Sequence, residues 1–376
     1  MARVLLIGTV ETKREEMDYL AGAMGRHGLG VEVVDVSLGS GGQILSSPEK
    51  LARMTERAEQ AALHVAAECH SCSVAVGVGG GTGGEIVLGA LRALPAAYPK
   101  VLITTLAFDP RAALADTAIT VVPTLCDIEG LNPMLCTVFE NAAAMVAGLS
   151  QATPPVRTAR PKIAVTTLGA TGPAGASIAK ALDAKGYDAT VFHANGYGGA
   201  AFSRFVAEGG AAGVIDLNVH ELGRLRLAGA HVPMPHRFRA ADALPRVVLP
   251  GGLNFIGLGA LDTLSDQHKA RPHYQHSSHF THVVLTRAEM ADQAAALADE
   301  LNHANAPCHV ILPMGGFSHE DRPGGAIEAA ELREIAADVL ARMAQAFTVE
   351  RLPHHINADE TAQAAVAALL ERMPDA

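Results

Sequence analysis

Tryptophan is absent from this sequence, and aromatic residues fill only 4% of its 376 positions. A core without large rings falls to Ala, Val, Leu and Ile, and at 49% hydrophobic residues the chain can build one. Basic runs are missing too. The net charge is −10 and no Lys/Arg cluster stands out, which argues against a nucleic-acid surface. A small anionic ligand stays open, because backbone N–H groups bind phosphate without basic side chains. The cysteines Cys69, Cys72, Cys126, Cys136 and Cys308 are odd in number and scattered, so they form no disulfide framework. "CHSC" (69–72) has no second pair at zinc spacing and reads as structural. The start "MARVLLIGTVETKREEM" turns charged after seven residues, so no signal peptide is expected. The longest apolar stretches read as too short to span a bilayer. The expectation is a cytoplasmic protein with neither nucleic-acid nor membrane partners.

What is present is alternation. Short apolar runs such as "RVLLIG" (3–8), "VEVVDVS" (31–37), "SVAVGV" (73–78), "KVLITTLA" (100–107) and "TAITVVPT" (117–124) read as strands. Longer amphipathic runs between and after them, 11–28, 48–69 and 133–150, read as helices, with Pro48 in a first turn. Strand–helix alternation predicts a parallel sheet covered on both faces. "QATPPVRTARP" (151–161) is polar, has three prolines and breaks the rhythm, so it reads as a linker. Alternation resumes from "KIAVTTLG" (162–169) to a last helix at 359–373, with less regular, His- and Arg-rich segments at 220–245 and 258–285. The reading is an α/β chain of two Rossmann-like, doubly wound domains with mainly parallel sheets, 1–155 and 156–376.

Ligands of such sheets bind beyond the carboxyl ends of the strands. The most conspicuous strand end is "GVGGGTGG" (77–84), six glycines in eight residues with a helix directly after. It lacks the Gly-Lys-Ser/Thr of a P-loop, and it follows the third strand rather than the first, so it is no clean dinucleotide fingerprint. Glycines let backbone amides approach an anion, and the helix start favours one. From the residues alone, an anion cradle and a tight turn both stay open. "GTVETK" (8–13) and "CDIEGLN" (126–132) are further strand-end loops with polar groups. In the second half, "TLGATGPAG" (167–175), "FHANGYGG" (192–199), "IDLNVHEL" (215–222) and "RLPHHINADE" (351–360) offer His193, His220, Glu221, His354 and His355. "HYQHSSHFTH" spaces His273, His276, His279 and His282 by three. A helix would gather them into a metal face, whereas a strand would split them between two faces.

"GTVETKREEMDYL", "GVGGGTGG", "DIEGLNPM", "FHANGYGGAA" and "LPHHINADE", in this order, resemble the Tm-1-like ATP-binding family over nearly the whole chain. That resemblance implies ATP with Mg²⁺ and self-association as a homodimer or larger. It places the nucleotide in the first domain, on Thr9, Thr12 and Lys13, on Gly79, Gly80, Gly81, Thr82, Gly83 and Gly84, and on Asp127 and Asn132. Glu11 stands where the family usually has Asp, Ala358 replaces the Asp of its "HHIND" tail, and Ala326, Ile327 and Glu328 replace an aromatic–acidic continuation. Carboxylates for Mg²⁺ would come from Glu11, Asp127 or Glu129, since hard cations favour oxygen. Three functions follow as expectations. The first is a nucleotide-binding protein whose phosphates sit on the Gly79–Gly84 loop. The second is a catabolic enzyme acting on a small carbonyl or carboxylate substrate at an interdomain cleft, with the five second-half residues supplying acid–base chemistry. The third is a regulatory protein-binding module with structural ATP. No nucleophile elbow or kinase signature names a reaction.

Overall fold

The computed structural model describes residues 2–153, 159–194, 197–228, 234, 237–239 and 244–374. The middle of the expected linker (154–158), and Asn195 and Gly196 of "FHANGYGG", lie outside them. The chain divides into two compact units, Met1–Arg157 and Thr158–Ala376.

Unit 1 runs β1 (Arg3–Gly8), α1 (Val10–Arg26), β2 (Gly30–Asp35), α2 (Ser47–Glu68), β3 (Val74–Val78), α3 (Thr82–Arg92), β4 (Lys100–Thr104), α4 (Arg111–Leu114), β5 (Ile119–Pro123) and α5 (Pro133–Ser150). Its five strands are all parallel, in the order β2-β1-β3-β4-β5. The strands read as unbroken apolar runs because both faces are covered. On β1, Val4 and Leu6 point to one side, where they meet Met17, Leu20 and Met24 of α1 and Phe139 and Val146 of α5. Leu5 and Ile7 point to the other, against Val65 of α2 and Ile86 and Leu91 of α3. One period-two strand therefore serves two cores at once. The order reverses between β1 and β3, and that switch point opens a crevice where the two following loops part.

The membrane expectation needs one correction. Helix α5 has 18 residues and a mean hydropathy of 1.2, enough by length and composition to cross a bilayer. Its Leu135, Phe139, Ala143 and Val146 are fully buried against the sheet.

Unit 2 runs β6 (Lys162–Thr167), α6 (Gly172–Ala184), β7 (Asp188–His193), α7 (Gly198–Ala207), β8 (Gly213–Asn218), α8 (His220–Gly223), β9 (Arg246–Gly251), β10 (Phe255–Leu258), α9 (Asp266–Lys269), β11 (His273–Ser277), β12 (Phe280–Val284), α10 (Arg287–Asn302), β13 (Cys308–Pro313), α11 (Ala330–Met343), β14 (Phe347–Leu352) and α12 (Asp359–Leu370). Six parallel strands follow the order β14-β13-β9-β8-β6-β7, with the same kind of reversal between β6 and β8. The segment read as irregular is a second sheet. Strands β10, β12 and β11 form a three-stranded antiparallel insertion between β9 and β13. Its strands escaped the apolar template because β11, "HYQHS", is polar and half exposed.

Candidate functional site

The crevice of unit 1 is a cavity of about 360 Å³. It is lined by Thr9, Glu11, Thr12 and Lys13 after β1, by Ser37, Leu38 and Ser40 after β2, by Lys50 of α2, by Gly79–Gly83 and Ile86 around the start of α3, and by Asp127, Ile128 and Glu129 before α5. All of these except Lys50 and Ile86 come from the loops or first helical turns that follow strand carboxyl ends, as a doubly wound sheet dictates.

The glycine run divides into two jobs. A Cβ on Gly79 would lie 2.4 Å from the Gly84 amide nitrogen, and one on Gly84 would lie 3.0 Å from the Gly79 oxygen. Those two glycines close the turn by backbone contact. A Cβ on Gly81 would meet nothing nearer than 4.0 Å, and one on Gly83 only Thr9 at 3.4 Å. Both line the cavity. No side chain caps α3, so its first-turn amides have no side-chain acceptor. The partial positive charge of an 11-residue helix therefore faces the cavity.

The loop after β1 is held by its neighbours. Asp35 Oδ1 accepts from the Val10 amide at 3.0 Å and the Ser37 amide at 2.9 Å, and Ser37 Oγ accepts from the Glu11 amide at 2.8 Å. Burial opposes ionisation of Asp35, but the Ser37 and Val10 hydrogen bonds outweigh it and keep its carboxyl below the usual range. Glu11 accepts from the amides of Gly41 at 2.6 Å, Gly39 at 3.1 Å and Ser40 at 3.3 Å, and these, Gly41 foremost, hold its carboxyl low as well. Glu11 thus clasps the glycine-rich loop after β2. Lys13 leaves helical backbone (φ −134°, ψ 32°) inside α1, and its Nζ reaches Glu129 at 2.6 Å. The Thr9 and Thr12 hydroxyls are 3.1 Å apart. Asp127 accepts from the next amide, Ile128, at 2.8 Å.

Two expected nucleotide residues sit elsewhere. Gly84 is buried against Gly79. Asn132 caps α5 by accepting from the Leu135 amide at 3.0 Å. Sequence reasoning missed Ser37, Leu38, Lys50, Ile86 and Ile128 as cavity walls. The loop "VSLGSGGQ" after β2 is a strand end that the sequence singles out for Gly39, Ser40, Gly41 and Gly42, and its Ser40 lines the cavity beside Ser37 and Leu38.

The second-half residues do not gather into one constellation. His193 ends β7 on the exposed side. His220 is buried, with Nδ1 2.9 Å from the Gly252 oxygen. Glu221 is buried in an ion pair with Arg237, which also binds Asp216 beside Arg246. His355 accepts from the Asn357 amide at Nδ1 (3.0 Å), which leaves the Nε2 proton to donate to the Ser318 oxygen at 3.0 Å. Burial lowers its pKa, in keeping with that neutral form. His354 contributes its carbonyl, which accepts from Gly315 at 2.9 Å. The histidines spaced by three lie on a hairpin: His273 and His276 on β11, His279 in the turn, His282 on β12. Among the described residues no three of His, Cys, Asp and Glu gather as a metal cage.

Comparison with known proteins follows this division of the chain. Residues 2–155 match the N-terminal domain, and residues 160–373 the C-terminal domain, of the uncharacterised protein family UPF0261. The chain belongs to this family. The UPF0261 protein mlr3387 of Mesorhizobium japonicum is 31% identical over 99% of both chains, and RA0729 of Rhizobium meliloti 30% identical over 98% of both. The ToMV resistance protein Tm-1(GCR237) of Solanum lycopersicum is 29% identical over 83% of this chain and 43% of its own length. This UPF0261 chain is therefore similar to Tm-1 over less than half of that protein. Among solved structures, a C2-type ketoreductase from a modular polyketide synthase aligns at a TM-score of 0.25 and 14% identity, covering 100% of this chain and 89% of that one, and nothing rests on it.

Proposed function

We propose that unit 1 is a nucleotide-binding module and that ATP, with Mg²⁺, is its ligand. The observation that carries this reading is the pairing of Gly81 and Gly83, open to the cavity, with the uncapped first turn of α3. Such a turn is an anion site by construction. Lys13 and Lys50 supply positive charge at the same cavity, and the Thr9, Thr12 and Thr82 hydroxyls supply donors. The volume of about 360 Å³ falls within the range of roughly 300–1,000 Å³ that suits small-molecule sites.

Mg²⁺ usually binds through one or two carboxylates plus substrate phosphates, so no dedicated cage is needed. Asp127 and Glu129 fit that role. Glu11 fits less well, because three backbone amides occupy its carboxylate. Bound there, the ion would neutralise phosphate charge. The family resemblance also suggests self-association, which exposed Ile44, Leu63 and Leu125 would suit. Five free thiols suit a reducing compartment such as the cytoplasm.

The test is a thermal-shift series of nucleotides with and without Mg²⁺ on the protein and on Gly81→Val. A ligand at a hundred times its Kd raises stability by about 2.7 kcal/mol. The protein should show that gain with ATP, and Gly81→Val should lose it while keeping its ligand-free midpoint. No shift with any nucleotide sinks the reading.

A further inference from the structure

Unit 2 has its own cavity at strand carboxyl ends, and none of the residues discussed for unit 1 contributes to it. It measures about 210 Å³ and is lined by Gly169 and Ala170 after β6, by Tyr274, His276 and His282 of the antiparallel insertion, by Ser318, His319 and Glu320 after β13, and by Ile327. By pairing, His282 lies opposite both Gly257 and Tyr274, so these three share a sheet face. That face covers the strand ends, since His276 comes within 3.7 Å of a Cβ built on Gly169. Rings run in a line from His220 to Phe255 (4.5 Å), to His282 (4.1 Å), to His276 (5.1 Å).

The two imidazoles His282 and His319 stand in opposite surroundings. His282 is 5% exposed among rings. Burial, helped by His220 and His276, pushes its pKa down to about 3, so it is neutral at pH 7 and offers one N–H. His319 is half exposed, and its Nδ1 lies 2.9 Å from Glu320 Oε1. A carboxylate that accepts a hydrogen bond from Nδ1–H fixes the tautomer with a free lone pair on Nε2. Glu320 is anchored in turn by the Ala326 amide at 3.3 Å, with Arg322 at 3.6 Å. Beside them Ser318 is fully buried, and its hydroxyl has no hydrogen-bond partner among the described residues. No Lys or Arg lines the cavity, and one carboxylate does, so an anionic ligand lacks a counter-charge. The volume lies below the range of roughly 300–1,000 Å³ for larger ligands.

The geometry points to a second site in unit 2, for a small uncharged carbonyl compound, where His319 removes a proton from the carbon next to the carbonyl. The C–H bond breaks and its proton moves to His319 Nε2. The C–H electron pair forms a C=C bond, and the carbonyl π pair moves onto oxygen. There the neutral His282 N–H donates a hydrogen bond, the role a buried neutral imidazole can fill at an enolate. Return of a proton to carbon restores the ketone, so nothing is oxidised or consumed. His319 is the catalytic residue and Glu320 a positioning residue. A neutral donor and a carboxylate-oriented base on one cavity are what such proton transfer requires.

The test follows deuterium uptake at carbon by proton NMR, with the full chain in D₂O and dihydroxyacetone as an uncharged probe against pyruvate as an anionic one. Dihydroxyacetone should exchange faster than with free imidazole at equal histidine concentration, and faster than pyruvate does. His319→Gln should slow exchange at least ten-fold without moving the thermal midpoint, because its side chain is half exposed. Ala170→Leu, which fills the cavity, should abolish both exchange and saturation transfer to the probe. Glu320→Gln should move the pH profile of exchange, which a merely structural role would leave in place. Exchange at the rate of free imidazole, equal rates in His319→Gln, or a preference for pyruvate overturns the proposal. If Ala170→Leu fails to fold, the comparison with His319→Gln decides.

Discussion

The two units carry related parallel sheets and finish their strand ends in opposite ways. In unit 1 the ends are left open. Its cavity is edged by exposed loops, glycines and a solvent-facing ion pair, Lys13–Glu129, whose carboxylate is 79% exposed. In unit 2 the ends are roofed by an antiparallel sheet and locked by buried charge. Asp216 there is 0% exposed and shared by Arg237 and Arg246, and Asp321, equally buried, holds Arg333 and the Phe317 and Ala329 amides. An open strand end leaves polar groups to water and ligand. A roofed one must satisfy them internally, and each such group becomes a stability requirement.

The sharpest way to break this contrast is to remove a locked charge. Asp216→Ala leaves Arg237 and Arg246 without their shared carboxylate and should cost about 3–5 kcal/mol in a denaturant titration of unit 2. Removing Lys13 from the open end should change stability by no more than about 0.5 kcal/mol, as for exposed pairs generally. Gly79→Val pushes a side chain into the Gly84 backbone and should cost about 3 kcal/mol, while its near neighbour Gly81→Val should be silent until ligand is added.

Acid should separate the units next. His282 has a folded pKa depressed to about 3 from 6.5, so its neutral form favours the native state. Stability is intact above pH 6.5 and declines as pH falls from there toward 3, by up to about 1.4 kcal/mol per pH unit. Glu11 is also depressed, from 4.5, but for a carboxylate the loss begins only as pH falls below about that value. Amide exchange by mass spectrometry should therefore show unit 2 loosening at a higher pH than unit 1, and His282→Phe should narrow the gap. Simultaneous loosening would refute the distinction. A modest effect is expected at a helix end. Asn132→Ala should cost about 1 kcal/mol as a lost cap and leave nucleotide shifts alone. A lost nucleotide shift would instead return Asn132 to the ligand.

Much of this architecture was legible in the sequence, for identifiable reasons. Strands such as "RVLLIG" and "VAVGV" are buried on both faces and read as continuous apolar runs, so the alternating plan is visible. The antiparallel insertion was not, because a roof strand has one wet face and β11 carries His, Tyr, Gln and Ser instead of Val and Ile. The Gly79–Gly84 loop announced itself by composition, yet composition does not separate its turn glycines from its open ones. Only the distance between Gly79 and Gly84 does. "LNPM" carried a readable cap signature, Asn before Pro, which the resemblance to a ligand motif overrode. Glu11 could not be read as a clasp, since its partners lie 28–30 residues away on a separate loop. The His319–Glu320 pair lay within "GGFSHEDRPGG", and adjacent residues in a loop give no hint that a hairpin from residues 273–284 closes over them.

The Lys13–Glu129 ion pair leaves one of the two lysines at the cavity of unit 1 already neutralised at rest. An anion arriving there would meet Lys50, which has no ion-pair partner among the described residues, while Lys13 is already engaged and the chain's net charge of −10 opposes its approach. If the proposed nucleotide binds there, its phosphate would compete with Glu129 for the Lys13 ammonium. Such competition would favour a ligand by how well it replaces a carboxylate, and not by its charge alone. It follows that Glu129→Gln should open the cavity to anions indiscriminately, inorganic phosphate among them, with faster binding that salt readily suppresses.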